Sequence, residues 1–167
     1  MEAQKIVVPI DYSDYSAPAL QWGVSLAQKY GAQLLVLHVI PKAVEEVYPQ
    51  GARSSSPMAS YYDGMAPGSR PFIAQPIIID LQEHAHMELE RFASQHLCDV
   101  PPVQVKVAVG KPAAEILRVV REEGADLIVM GTHGRTGLRH LLLGSVAEAI
   151  TRHAPCPVFT LRADVAA

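Results

Sequence analysis

The chain has 167 residues, 49% of them hydrophobic, a length that suits one domain with a sizeable core. Its 14 Lys and Arg stand against 17 Asp and Glu, a net charge of -3 that excludes both the charge excess of a disordered chain and the basic excess of a nucleic-acid binder. No apolar run reaches the ~20 residues of a transmembrane helix, the start MEAQK-IVVPI lacks the regions of a signal peptide, and the distant Cys98 and Cys156 form no zinc or thioredoxin spacing. A reduced cytoplasmic protein with neither a nucleic-acid nor a membrane partner is expected.

In chain order, Lys5–Ile10 (KIVVPI) and Gln33–Ile40 (QLLVLHVI) read as buried strands. Between them Leu20, Gly23, Val24 and Ala27 form a helical stripe, with Gly31 at the position of a left-handed cap. Leu81, Ala85, Leu89 and Phe92 mark a second helix, and Val103–Val109 (VQVKVAV) alternates as a strand. Pro112 opens a third helix with its stripe on Ala113, Ile116, Leu117 and Val120, and Gly124 stops it. A strand over Asp126–Met130, a helix over Ser145–His153 and a strand over Pro157–Leu161 complete the chain. Strands apolar on both faces and separated by helices predict an α/β fold, an open five-stranded parallel sheet covered on both sides.

The stretch from Pro41 to Pro76 breaks this rhythm, with six of the 13 prolines, the Ser54–Ser56 run and three of the six tyrosines. It reads as an irregular insertion at about 41–77 in one domain spanning 1–167. Its composition fits a mobile surface segment, while Tyr48, Tyr61 and Tyr62 suggest a lid or docking loop.

Ligands of open parallel sheets bind beyond the carboxyl ends of the strands, which here are Pro9-Ile10-Asp11, His38-Val39-Ile40 and Met130-Gly131. The segment after the last of these, GTHGRTGLRHLLLGS, is the most informative. Gly131 and Gly134 permit positive φ and close backbone approach, so amide N–H groups can face a phosphate. Gly144-Ser145 opens a helix whose first N–H groups and positive dipole end favour an anion, with the Ser145 hydroxyl free to cap or donate. Arg135, Arg139 and His140 lie between them. The pattern is neither a Walker A motif nor the dinucleotide G-x-G-x-x-G, so a different nucleotide-binding design is implied. His84 and His86 lie about 200° apart around a helix and cannot chelate one metal, and no metalloprotease, hydrolase or kinase signature occurs. Cys156, just before the last strand, reads as packing.

These residues resemble the universal stress protein family. The likeness rests on VVPIDYS, LLVLHVI, DLIVMGTHGRTG, LLLGSVAEAI and APCPVFTLR, and on a complete G-x-x-G-x9-G-[ST] motif at Gly131, Gly134, Gly144 and Ser145. That motif marks the ATP-binding branch of the family. The resemblance implies a Rossmann-like sheet with strand order 3-2-1-4-5, and homodimers pairing through the last strand, here Pro157–Leu161.

Carried over position by position, the family's site places Asp11 at the nucleoside, Val39 at the adenine with Pro9 adjacent, and Gly131 against the ribose flanked by Met130 and His133. Gly134, Arg135, Gly144, Ser145 and Val146 would cradle the phosphates with an associated divalent ion, Mg2+ or Mn2+. Without the resemblance, Asp11 reads equally as an Asx-turn former before Ser13, and His133 as a residue that orients its loop. The expected function is that of an ATP-binding stress-response regulator, in which nucleotide occupancy of the Gly131–Ser145 loop controls conformation and partner binding. No catalytic residue is assigned. The rivals are a slow ATPase or phosphotransferase using His133, Asp11 and the ion, and a dimeric interaction module with a vestigial pocket.

Overall fold

The computed structural model describes residues 3–41, 74–96, 103–134 and 143–162, with side chains of the second segment described from 81. Its elements are β1 (Lys5–Ile10), α1 (Ser16–Tyr30), β2 (Gln33–Pro41), α2 (Ala74–His96), β3 (Val103–Gly110), α3 (Pro112–Glu122), β4 (Leu127–Gly131), α4 (Ser145–His153) and β5 (Val158–Leu161). The five strands form one parallel sheet in the order β3-β2-β1-β4-β5, as the resemblance implied. Among the described residues no helix is long and apolar enough to cross a membrane.

Neighbouring strand residues point to opposite faces, so the continuous apolar runs of β1 and β2 feed two cores at once. Val7, Leu35, Leu37 and Ile128 pack with Ile116, Val120 and Ile150 under α3 and α4. Ile6, Val8, Leu34, Val36 and Val129 pack with Leu20, Ala27 and Leu89 under α1 and α2. Two glycines carry the geometry of α1. At Gly31, φ is 65° and the N–H closes the helix on Ala27 O. At Gly23, an added Cβ would lie 2.5 Å from Val8 Cγ2, so the missing side chain sets how closely α1 approaches the sheet.

The flanking elements reach into the stretch that composition marks as irregular. Pro41 closes β2 opposite Gly110, and residues 74–77 already belong to α2. Pro76 is tolerated there because an N–H in the first helical turn has no intrahelical acceptor. Residues 42–73, with the suggested lid tyrosines, and Cys98 lie outside the described residues. His86 Nε2 meets Glu90 Oε1 at 3.4 Å on the exposed side of α2. Cys156 is partly buried against the α3–α4 core, and burial pushes its thiol pKa up.

At the amino edge of the sheet, Asp126 accepts the N–H groups of Gln4 and Lys5 at 2.8 and 2.9 Å, so it serves the turn while β4 begins one residue later. Glu123, just past α3, accepts Lys106 Nζ at 2.7 Å and Lys5 Nζ at 2.9 Å, fastening α3 to β3 and β1. Those two ammonium groups hold its carboxyl at about 2, below the ordinary 4.5. The folded value is the lower one, so this contribution is complete above pH 4.5 and disappears as pH falls through 2.

Glu123→Gln lowers unfolding stability at pH 7 by about 1 kcal/mol, and the gap from the parent closes in urea titrations as pH falls from 4.5 towards 2. A gap that persists at pH 2 would show that charge is not its source. Gly23→Val overpacks the α1–sheet contact and costs about 2 kcal/mol, read as a lower urea midpoint, whereas the exposed Ser25→Ala stays within about 0.5 kcal/mol of the parent.

Candidate functional site

The order in which strands are added to the sheet reverses at β1. Successive crossovers lead from β1 to β2 and β3 on one side, whereas β4 and β5 lie on the other, so a crevice opens between the carboxyl ends of β1 and β4. A cavity of about 330 Å³ occupies this place, within the size range of small-molecule sites. Pro9, Asp11, Val39, Met130, Gly131 and His133 line it, as do Gly134, Gly144, Ser145 and Val146. Every described residue that the resemblance places at the nucleotide is thus brought to one cavity. Arg135 lies outside the described residues, as do Arg139 and His140.

Three backbone segments build the polar end. After β1, Asp11 Oδ1 accepts the Ser13 N–H at 3.1 Å and the Ser16 hydroxyl at 2.9 Å, while Ser16 Oγ accepts the Asp11 N–H at 3.2 Å. Asp11 therefore forms the Asx-type turn that leads into α1 and also lines the cavity, so its two readings are compatible. After β4, the Thr132 N–H donates to Leu161 O at 2.8 Å, and Thr132 O accepts the Gly144 N–H at 2.7 Å. These two bonds tie the loop to β5 and to the start of α4.

The motif glycines work through space and not through φ. The positive-φ glycines among the described residues are Gly31, Gly110 and Gly124, so that part of the expectation for Gly131 and Gly134 is corrected. A Cβ on Gly131 would stand 2.5 Å from Tyr15 Cβ, and one on Gly134 would stand 2.5 Å from Asp11 Oδ2. On Gly144 it would stand 3.3 Å from Thr132 O. The missing side chains let the β4 loop lie directly on the β1–α1 turn and let α4 start against that loop.

Gly144 caps α4 with extended φ and ψ of -71° and 157°, and Ser145 is the first helical residue, not the cap. The first intrahelical bond runs from the Glu148 N–H to Gly144 O at 2.9 Å, so the Ser145, Val146 and Ala147 N–H groups have no acceptor within the helix. They make that end of the cavity a place for negative charge. His133 Nδ1 pairs with Thr132 Oγ1 at 3.0 Å, and its ring lies 5.6 Å from that of Tyr15. The apolar side chains Val39, Pro41, Pro112, Ile116 and Met130 also wall the cavity. A cavity that joins an apolar wall to the first N–H groups of a helix suits a flat heterocycle carrying an anionic tail.

Sequence reasoning missed Tyr15, Thr132, Pro112 and Ile116, all of which line the cavity. Applied to the carboxyl end of β3, the strand-end rule points to Pro112 and Ile116, which lie just beyond it on α3. Tyr15 has no spacing signal, because its place follows from contact with Gly131. Among the described residues no three His, Cys, Asp or Glu side chains gather as metal ligands.

Comparison with known proteins gives consistent results. The model of the universal stress protein family matches residues 2–162. Universal stress protein MJ0531 of Methanocaldococcus jannaschii is 32% identical over 160 residues, spanning 95% of this chain and 82% of that protein. The solved structure of protein MJ0577 from the same organism shares the fold with a TM-score of 0.73 and 26% identity, covering 99% of this chain and 100% of that one. The fold also recurs in an Arabidopsis thaliana family protein with AMP bound, at TM-score 0.55 and 18% identity over 97% of this chain and 93% of that one. It recurs again in a universal stress protein in complex with cAMP (TM-score 0.61, 19% identity, 98% and 100% covered) and in that of Archaeoglobus fulgidus in complex with dAMP (0.51, 20%, 96% and 98%). With the family model matched along nearly its whole length and this fold in place, the chain belongs to the universal stress protein family.

Proposed function

We propose that this chain is a stress-response regulator that binds ATP, with Mg2+ or Mn2+, in the cavity at the carboxyl ends of β1, β2 and β4. The observation that carries the reading is the joining, in one cavity, of an apolar slot at Val39 to the first N–H groups of α4. Related folds that hold AMP, dAMP or cAMP support an adenine ligand. In this reading the base enters between Val39 and Ile116, and the ribose rests on Gly131 beside Asp11. The phosphates then lie against Gly134, Gly144, Ser145 and Val146, with Arg135 offsetting their charge. A divalent ion is held chiefly by phosphate oxygens and water, as Mg2+ commonly is. Occupancy fixes the loop from Gly131 to Ser145 and so changes the surface offered to a partner protein.

The same reading includes a homodimer through β5. This strand is the edge of the sheet, and the half-exposed Phe159 on it packs 5.5 Å from the ring of the exposed Trp22. An edge strand with an aromatic patch is a ready surface for pairing with a second copy.

Ser145→Glu separates binding from folding. A carboxylate at the first turn of α4 complements the helix dipole, so the free protein keeps or slightly raises its melting temperature. The same charge repels phosphate. ATP with Mg2+ at ~100-fold above Kd stabilises the parent by about 2.7 kcal/mol, and the variant loses most of this shift in differential scanning fluorimetry. Equal ATP stabilisation of parent and variant would contradict the phosphate assignment. For the dimer, sedimentation equilibrium should give two copies for the parent and one for Phe159→Asp; a monomeric parent would contradict it.

A further inference from the structure

Tyr12 has φ of 61° and is the one non-glycine residue with positive φ among the described residues. Bulky side chains rarely adopt this conformation, and it persists where the surroundings over-determine it. Here they do so through the ring. It lies 4.8 Å from the His38 ring of β2 and meets the Phe92 ring of α2 edge-on, at 5.5 Å and 84°. Both neighbours are fixed in turn. His38 Nδ1 is 2.7 Å from Ile10 O, the carbonyl two residues before Tyr12, and the Phe92 ring lies 4.5 Å from that of His96.

The Tyr12 hydroxyl takes no part in this anchoring. Its oxygen is buried and has no hydrogen-bond partner among the described residues. Burial, with a smaller contribution from the negative charge of Glu88, pushes its pKa up to about 12. Neither Tyr12 nor Phe92 lines the cavity. The residue before Tyr12 is Asp11, whose carboxylate organises the turn through Ser13 and Ser16 and sits against Gly134.

We infer that Tyr12 is a positioning residue, a ring wedged between β2 and α2 that forces the left-handed turn and thereby holds Asp11 at the cavity wall. The ligand arm of its test rests on the proposed nucleotide reading; the amide arm does not. Packing of α2 at Phe92 is thereby coupled to the shape of a cavity that no described side chain of α2 lines.

The test uses the full chain and three variants. Tyr12→Phe keeps the ring and removes the unpartnered hydroxyl, Tyr12→Gly keeps access to positive φ and removes the ring, and Phe92→Leu loosens the wedge from α2. Two quantities are read, the ATP–Mg2+ Kd by calorimetry and the exchange rate of the Ser13 amide in ligand-free protein by NMR. In Tyr12→Phe both stay within twofold of the parent and the melting temperature does not fall. In Tyr12→Gly the Kd rises at least tenfold and the Ser13 amide exchanges at least tenfold faster, while the Val36 amide at the sheet centre keeps its rate. Phe92→Leu moves both in the same direction by a smaller factor, and it decides the matter should Tyr12→Gly fail to fold. Unchanged Ser13 exchange in the ring-deleted variant, or faster exchange with parental ATP affinity, would overturn the inference. Faster Ser13 exchange in a protein whose parent binds no ATP would uphold the positioning role and refute the nucleotide reading alone.

Discussion

At the carboxyl edge of the sheet, backbone segments from β1, β4 and α4 approach more closely than side chains allow, and the site depends on that approach. Gly131 faces Tyr15, Gly134 faces Asp11 and Gly144 faces Thr132 O, each at a distance that leaves no ordinary room for a Cβ. The contact brings the first turn of α4 to the same cavity as the Asp11 turn. Its cost is small, because none of these glycines sits at positive φ and the Gly144 N–H is satisfied by Thr132 O. Larger residues there would push α4 and the β4 loop apart and open the anion-favouring end to water.

The rest of the fold supports this junction. Two cores, one on each face, hold the strands in register, and each takes its residues from alternate positions of the same strands. The amino edge is fastened by Asp126 and by Glu123 with its two lysines, which leaves the carboxyl edge open for a ligand. Tyr12 ties that open edge back to α2. The cavity is thus shaped by elements on both faces of the sheet, although its apolar wall comes from β2, β4 and α3 and its N–H donors from α4.

Most of the fold was legible because its signals are local. β-branched runs, helical stripes, Pro112 at a helix start and Gly31 at a helix end each act over a few residues, and the four helices and five strands among the described residues lie where they point. Ends of elements were less legible. Pro76 reads as part of an irregular stretch, yet it stands in the first turn of α2, where its missing N–H costs little. The strand order came from resemblance, since register between distant strands leaves no local mark.

The site divides in the same way. Asp11, Val39 and the glycine motif were legible because strand ends and spacing carry them. Tyr15, Thr132 and Ile116 were not, because they join the cavity through contacts made only in the folded chain. The motif glycines line the cavity by close approach and not by positive φ, because spacing reveals that a side chain is absent and not whether φ or proximity demands it. The most direct test of a nucleotide site here is an NMR titration of the isotope-labelled protein with ATP and Mg2+. The account predicts saturable shifts concentrated at the amides of Asp11, Val39, Gly131, Gly134 and Val146. A spectrum that does not respond, or one whose shifts fall away from these residues, would contradict it.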